Sequence, residues 1–259
     1  MKQWQVLVRK EMLEMWRSFK WLWLPVVFVI MGAMQPLATY YMPQLIDALG
    51  GLPEGTVIEI PTPTGNQMMA ELVGEYGTLG VLVLVLAGMG LIAGEKLNRY
   101  LSLVMVRPVP HGSFITAKWA SYVTLGLSSL VAGVLVGWYY TEMLIGQVDV
   151  LQLVGGTLIY ALWLVFVMTV TLLMSTLMKG SAAVASSSIL LIVAITLVTS
   201  ILDRFMTWSP AKLTSHALLV IAEGTTGDSF WLSVAASVVL IVVMLLVCIR
   251  IFKRQELAD

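Results

Sequence analysis

Six long apolar stretches occupy most of the sequence and decide what the chain can fold into. Each holds about 18 to 28 residues, enough for a helix to cross the roughly 30 Å hydrocarbon core of a bilayer. Because lipid offers the backbone no hydrogen bonds, such segments cross the membrane as helices. The sequence therefore predicts an all-α polytopic membrane protein, a single 259-residue membrane domain with six transmembrane helices. The predicted spans are residues 21–41, 77–94, 121–140, 151–178, 181–202 and 230–252.

Composition excludes a soluble enzyme and disfavours a nucleic-acid-binding protein. Charged residues make up 12% of the chain and hydrophobic residues 59%, whereas an ordinary soluble domain carries about 25% charged residues. The formal net charge is zero, so the chain lacks the basic field that nucleic acid requires, and no such partner is expected. Its single cysteine, Cys248, cannot form an intramolecular disulfide.

The positions of lysine and arginine orient the predicted spans. With the N-terminus inside, all of the 15 Lys and Arg residues except Arg204 and Lys212 fall on the cytoplasmic side. Cytoplasmic flanks retain positive charge, and an even number of spans returns the chain to the side where it began. We therefore expect a multi-pass protein of a prokaryotic cell (cytoplasmic) membrane, with both termini cytoplasmic.

Residues 1–20 predict an amphipathic interfacial helix ahead of the first span. Six apolar residues fall within one arc of that helix: Trp4, Val8, Met12, Met15, Trp16 and Phe19. Five cations gather on the opposite side: Lys2, Arg9, Lys10, Arg17 and Lys20. Glu11 lies near the edge of the apolar arc. Two interpretations remain open, an anchor on the anionic inner leaflet or an additional contact surface for a cytoplasmic protein.

The predicted spans hold almost no ionisable residues, which disfavours an ion-coupled carrier. Intramembrane catalysis would need paired carboxylates, a Ser/His couple or a metal-binding cluster, and the sequence shows none. His111 and His216 fall on opposite sides of the membrane, where each is expected to be a polar surface residue. We therefore expect no catalytic, metal-binding or cofactor-binding residue in this chain.

The segment between the second and third spans, residues 95–118, carries the most specific pattern. Apolar residues recur along it at i, i+4, i+7 and i+8: Leu97, Leu101, Val104 and Met105. Pro108 ends this predicted helix because a proline disfavours the α conformation of the residue before it. A short amphipathic helix of this kind suits a groove on another protein, and it also suits the membrane surface.

With these residues, the chain resembles the membrane-spanning permease subunits of ABC-2 type transporters. Those chains have six spans, a basic amphipathic start with a Lys-Glu pair, here Lys10-Glu11, and a patterned loop after the second span. The matching loop positions are Glu95, Leu101, Leu103, Pro108, Val109, Ile115 and Lys118. The sequence departs from the family pattern at Arg99, Tyr100 and His111, so no role is carried over to these three residues.

The resemblance implies that residues 98–105 form a coupling helix, which docks into a cleft on a cytoplasmic ATPase subunit and transmits its motion. The docking and coupling residues it implies are Glu95, Asn98, Leu101, Val104, Met105, Pro108 and Lys118, flanked by Lys10 and Glu11 of the interfacial helix. The resemblance also implies that a second permease copy or a paralogous permease takes part. It further implies that residues 203–229 are similar to an outer gate. The chain contains no Gly-x-x-x-x-Gly-Lys-Ser/Thr phosphate loop, so ATP and Mg²⁺ would be bound by separate ATP-binding cassette ATPase subunits.

Two functions from different classes follow. The first is the permease subunit of an ATP-driven exporter, whose apolar interior favours an amphipathic or lipid-like compound or a peptide as substrate. The alternative is a non-transporting six-span membrane assembly or sensor component, which uses its basic cytoplasmic face only for docking.

Overall fold

The computed structural model describes residues 2–48, 63–97 and 110–256, and all regular structure within these ranges is helical. The helices are Lys2–Arg17, Lys20–Ala48, Gly65–Glu75, Val81–Gly88, Ala93–Leu97, His111–Leu144, Val150–Leu177, Ser181–Ile201, Lys212–Glu223 and Phe230–Glu256, with one π-helical turn at Tyr76–Gly80.

Six helical stretches are long and apolar enough to cross a membrane, and we call them the first to sixth spans. They are Lys20–Gln44, Gly65–Glu95, His111–Leu144, Val150–Leu177, Ser181–Ile201 and Phe230–Arg254. The prediction of an all-α, six-span membrane protein with an N-terminal amphipathic helix is confirmed. We call the end of the bundle that holds Lys10 and Lys118 the basic end, and the opposite end the outer end.

The second span begins at Gly65 rather than at the predicted residue 77. Thr64 and Gln67 form a capping box, in which the Thr64 hydroxyl accepts from the Gln67 N–H and the Gln67 side chain accepts from the Thr64 N–H. Such a cap starts a helix whether or not the following residues are apolar. Glu71 and Glu75, which the sequence places before the span, therefore lie within its helix.

The third span begins at His111, ahead of the predicted residue 121. Pro110 precedes it with an extended backbone, φ −61° and ψ 124°. Residues 111–118 thus belong to the first turns of a spanning helix rather than to a loop, because nothing in their backbone hydrogen bonding separates them from the apolar residues that follow. Lys118 is therefore carried on the third span itself.

The first and third spans cross in close contact at two glycines. A Cβ on Gly32 would lie 2.3 Å from the Gly133 carbonyl oxygen, and a Cβ on Gly133 would lie 2.7 Å from the Phe28 carbonyl oxygen. The Tyr76 hydroxyl of the second span donates to the same Phe28 carbonyl at 2.9 Å. Small residues allow helices to approach this closely in lipid, where packing drives association. The crossing joins the first three spans.

The fourth span lies at the centre of the bundle. It packs against the second, third, fifth and sixth spans and against the outer helix Lys212–Glu223. Its Tyr160 and Trp163 are buried. A Cβ on Gly156 would lie 2.7 Å from the Ala217 carbonyl oxygen, so this glycine lets the outer helix approach. The predicted outer segment 203–229 therefore contains a helix that packs onto the bundle.

His216, expected at the polar surface, is instead buried on the outer helix with 5% of its surface exposed. Its Nδ1 accepts from the Gly227 N–H at 3.3 Å, and its ring packs edge-on against Phe230. Burial, together with the nearby Lys212 ammonium, lowers the pKa of His216 below its ordinary value of 6.5. His216 and His111 lie at opposite ends of the bundle, as the sequence predicts.

Two connections at the basic end are short. The interfacial helix ends at Arg17 and the first span begins at Lys20, and between them Phe19 adopts a left-handed backbone with φ 58°. Only residues 178–180 separate the fourth span from the fifth. The helices that these connections join are therefore held close to one another at this end.

Candidate functional site

The interfacial helix packs against the basic end of the third span. Its packed face is formed by Leu7, Val8, Glu11, Met12 and Met15. Glu11, which the sequence places near the edge of the apolar arc, lies at the centre of this face and is 3% exposed. Trp16 and Phe19, predicted on the same arc as Met15, are exposed. The arc therefore divides between a face that contacts protein and a face available to lipid.

Four predicted residues meet at the basic end and form what we call the charge cluster: Lys10, Glu11, Glu95 and Lys118. Lys118 Nζ lies 2.9 Å from Glu11 Oε2 and 2.8 Å from Glu95 Oε1. Lys10 Nζ lies 3.1 Å from Glu11 Oε1 and 3.2 Å from Glu95 Oε1. The cluster joins the interfacial helix, the end of the second span and the beginning of the third span.

The centre of the charge cluster is enclosed by protein. Lys118 is 1% exposed, and the Glu11 side chain is 4% exposed. Charges removed from water are tolerated only when oppositely charged groups compensate them, and here each lysine contacts both glutamates. The Phe114 ring also lies 5.1 Å from the Lys118 ammonium. Removal of one partner from such a buried pair would leave the other charge uncompensated.

Lys10 closes the charge cluster on its exposed side. Burial opposes its charged form, but Glu11, Glu95 and Glu14 outweigh that effect and raise the pKa of Lys10 above its usual range. Glu14 Oε2 lies 3.4 Å from Lys10 Nζ, one helical turn along the interfacial helix. Lys10 is therefore fully charged at neutral pH.

The carboxylates of Glu11, Glu14 and Glu95 come within 4.8 Å of one another, a spacing that a metal ion could bridge. The ammonium groups of Lys10 and Lys118 already contact these carboxylates at distances from 2.8 to 3.4 Å. They supply the positive charge that carboxylates in such an environment require. The arrangement is that of an ion-pair network.

The remaining predicted docking residues lie outside the described part of the chain: Asn98, Leu101, Val104, Met105 and Pro108. The coupling helix at 98–105 therefore stays a prediction. The structure does describe what borders it, with Glu95 in the helix Ala93–Leu97 and the third span beginning at His111. Because Glu95 contacts Lys118, the two ends of the 95–118 segment are held together at the charge cluster.

Two sets of contacts at the basic end were not predicted from the sequence, those of Lys20 and those of Ser175. Lys20 Nζ donates to the Ala87 carbonyl oxygen at 2.9 Å. The Ser175 hydroxyl oxygen accepts from the N–H groups of Ile92 and Ala93 at 2.9 and 3.0 Å. Their partners are backbone groups of the second span, and no residue pattern marks a side chain that binds the backbone of another helix.

Two comparisons with other proteins identify the family of this chain. The family described as "Protein of unknown function (DUF2705)" matches residues 51–258. The chain is also similar to "Uncharacterized transmembrane protein YxlG" of Bacillus subtilis (strain 168), with 32% identity over 256 residues that cover 99% of both chains. The alignment with the Bacillus protein covers all six spans, whereas the family match begins after the first span. This multi-pass membrane protein therefore belongs to the DUF2705 family.

Proposed function

We propose that the chain is the membrane-spanning permease subunit of an ATP-driven ABC-2 type transporter. In this proposal the protein resides in the cytoplasmic membrane with its basic end in the cytoplasm. Separate ATPase subunits dock at the 95–118 segment and bind ATP and Mg²⁺. A second permease copy, or a paralogous permease, completes the transport pathway.

The charge cluster is the observation that carries this proposal. A coupling segment can transmit movement to the spans only if it is attached firmly to them. Glu95 and Lys118 border that segment and are joined by an ion pair of 2.8 Å, while Glu11 ties the same lysine to the interfacial helix at 2.9 Å. A push on residues 98–109 would thus reach the second span, the third span and the interfacial helix together.

The proposed substrate is an amphipathic or lipid-like compound or a peptide, and the proposed direction is export. The buried side chains of the described spans are mainly apolar, and they include Tyr160 and Trp163 on the central fourth span. Such an interior offers contact area to apolar groups and few charges to a bare ion. ATP-dependent efflux from reconstituted vesicles that followed a simple cation and ignored hydrophobic compounds would exclude this substrate class.

Co-purification with candidate ATPase subunits tests the function. The native chain is compared with a Leu101→Asp, Met105→Asp variant, which places two charges on the predicted docking face. A Leu202→Asp, Phe205→Asp variant is the matched control, because both side chains are exposed at the outer end. We expect the native chain and the control to retain the ATPase and the docking variant, still folded, to lose it.

The native chain binding no ATPase would contradict the proposal and favour a non-transporting assembly or sensor component. Equal retention by all three proteins would instead place ATPase docking elsewhere than residues 98–105.

A further inference from the structure

The second span does not reach Glu95 as one continuous helix. It is helical at Val81–Gly88, turns through residues 89–92 and becomes helical again at Ala93–Leu97. The Leu91 N–H donates to the Gly88 carbonyl at 3.1 Å, the tighter pattern of a 3₁₀ turn. A helix broken inside a membrane bundle needs other partners for the backbone groups that the break releases.

Two neighbouring spans supply those partners. In a regular helix the N–H groups of Ile92 and Ala93 would donate to carbonyls four residues earlier, whereas here both donate to the Ser175 hydroxyl oxygen. On the other side of the break, the Ala87 carbonyl accepts from Lys20 of the first span. Ser175 belongs to the central fourth span and is completely buried. The break is thus held from two sides by side chains of other helices.

Glycines make this stretch of the second span easy to bend. Gly88, Gly90 and Gly94 stand within seven residues, and glycine is the least helix-favouring residue after proline. Packing requires a glycine only at position 88, since a Cβ on Gly88 would lie 2.4 Å from the Tyr122 hydroxyl oxygen. A Cβ on Gly90 would meet its nearest neighbour at 3.8 Å, and one on Gly94 would meet nothing within 4 Å. At these two positions glycine supplies backbone freedom rather than space.

We propose that residues 88–93 are a hinge and that Ser175 is the positioning residue that holds it. Glu95 lies just beyond the hinge, so displacement of the 95–118 segment would bend the second span at residues 88–93. That bending would pull on Ser175, and hence on the fourth span, and on Lys20 of the first span. The source of the displacement rests on the proposed function, whereas the hinge is a property of the isolated chain.

Amide hydrogen exchange of the full chain in detergent micelles, measured by mass spectrometry, tests the hinge. In Ser175→Ala the Ile92 and Ala93 amides lose their acceptor, and we expect exchange in a peptide covering residues 88–97 to become about tenfold faster. Ser129→Ala is the matched control, because Ser129 is equally buried and its hydroxyl donates to the Leu125 carbonyl of its own helix. Exchange of the same peptide should stay unchanged in that control.

A second variant acts in the opposite direction and does not depend on Ser175→Ala folding. Gly90→Ala combined with Gly94→Ala raises helix propensity without a steric clash, so exchange of the 88–97 peptide should slow by roughly threefold or more. Gly77→Ala is the control, since a Cβ there also meets nothing within 4 Å and lies in the same span away from the hinge.

If amide exchange of the 88–97 peptide is the same in Ser175→Ala as in Ser129→Ala, the hinge proposal is overturned, even if the chain binds an ATPase. A tenfold rise in a chain that binds no ATPase supports the hinge and overturns only the coupling role that we assign to it. Unchanged exchange in the Gly90→Ala, Gly94→Ala variant contradicts the role of the two glycines.

Discussion

The two lysines of the charge cluster contact the same pair of glutamates, yet they differ in exposure, and this allows a stringent prediction. The Lys118 side chain is 1% exposed, whereas the Lys10 side chain is 43% exposed. Substitution of either residue by methionine removes one ammonium group and keeps an unbranched side chain of similar length. The two variants therefore compare the same chemical change in two environments.

We expect Lys118→Met to lower the free energy of unfolding by about 3 kcal/mol. Removing one partner of a buried ion pair costs about 3 to 5 kcal/mol, because it leaves an uncompensated buried charge. The lower limit applies here, since Lys10 remains 3.1 Å from Glu11 and 3.2 Å from Glu95. For Lys10→Met we expect about 1 kcal/mol or less, because solvent screens its partly exposed pairs.

Equilibrium unfolding in mixed detergent micelles, followed by tryptophan fluorescence, would measure both free energies. A Glu11→Gln, Lys118→Met double variant measures the coupling between the two residues. It should lower the free energy of unfolding by about 2 kcal/mol less than the summed effects of the Glu11→Gln and Lys118→Met single variants. Equal costs for Lys118→Met and Lys10→Met would refute the reasoning, because burial would then not decide the strength of these pairs. Additive costs in the double variant would show that Glu11 and Lys118 do not interact.

Three further predictions concern single positions, each measured by the same unfolding assay. Gly133→Ala should destabilise the chain by about 2 kcal/mol, because the new Cβ meets backbone that cannot move aside. Gly77→Ala is the control, and it should be neutral or slightly stabilising because a Cβ there meets open space. Equal effects of the two substitutions would contradict the close crossing of the first and third spans. Phe19→Gly should be more stable than Phe19→Ala by about 1 kcal/mol, because both lose the ring but only glycine adopts the left-handed backbone without cost. The pKa of His216 is lowered in the folded chain, so the stability that its neutral form contributes is complete above the ordinary value of 6.5 and is lost as pH falls through the lowered value. As pH falls from about 8 to about 5, the native chain should therefore lose more stability than a His216→Asn variant. Asparagine is chosen because it keeps an acceptor for the Gly227 N–H. Equal losses of stability in the two proteins would show that His216 does not titrate in this way.

The fold class was predictable because the length of an apolar stretch is visible in the sequence without knowledge of its neighbours. The fifth span, predicted at 181–202 and found at Ser181–Ile201, illustrates this. The start of the second span was missed because hydrophobicity is interrupted at Glu71 and Glu75, although the helix continues through them. A local signal was present, since Thr64 and Gln67 have the spacing of a capping box and precede an apolar helix.

The residues of the charge cluster could be singled out from the sequence, but their contacts could not. Lys10, Glu11, Glu95 and Lys118 stood out as charges at the borders of apolar segments and through the resemblance to permeases. Glu11 and Lys118 are 107 residues apart, and only the packing of the interfacial helix on the third span brings them together. The role of Ser175 was less accessible still, because it depends on two backbone N–H groups that are available only where another helix breaks.

The three-residue connection between the fourth and fifth spans limits how these helices can separate. Four Cα–Cα steps of about 3.8 Å join Leu177 to Ser181, so these two helix ends can never lie more than about 15 Å apart. At the outer end the fifth and sixth spans are joined by the whole stretch from 202 to 229, which includes a helix of its own. The connection therefore limits separation of the fourth and fifth spans at the basic end, whereas at the outer end the fifth span is held by contacts such as the 2.6 Å hydrogen bond between the Thr199 and Ser209 hydroxyl groups. A widening of the bundle along this helix would consequently be larger at the outer end, and it would have to break such contacts.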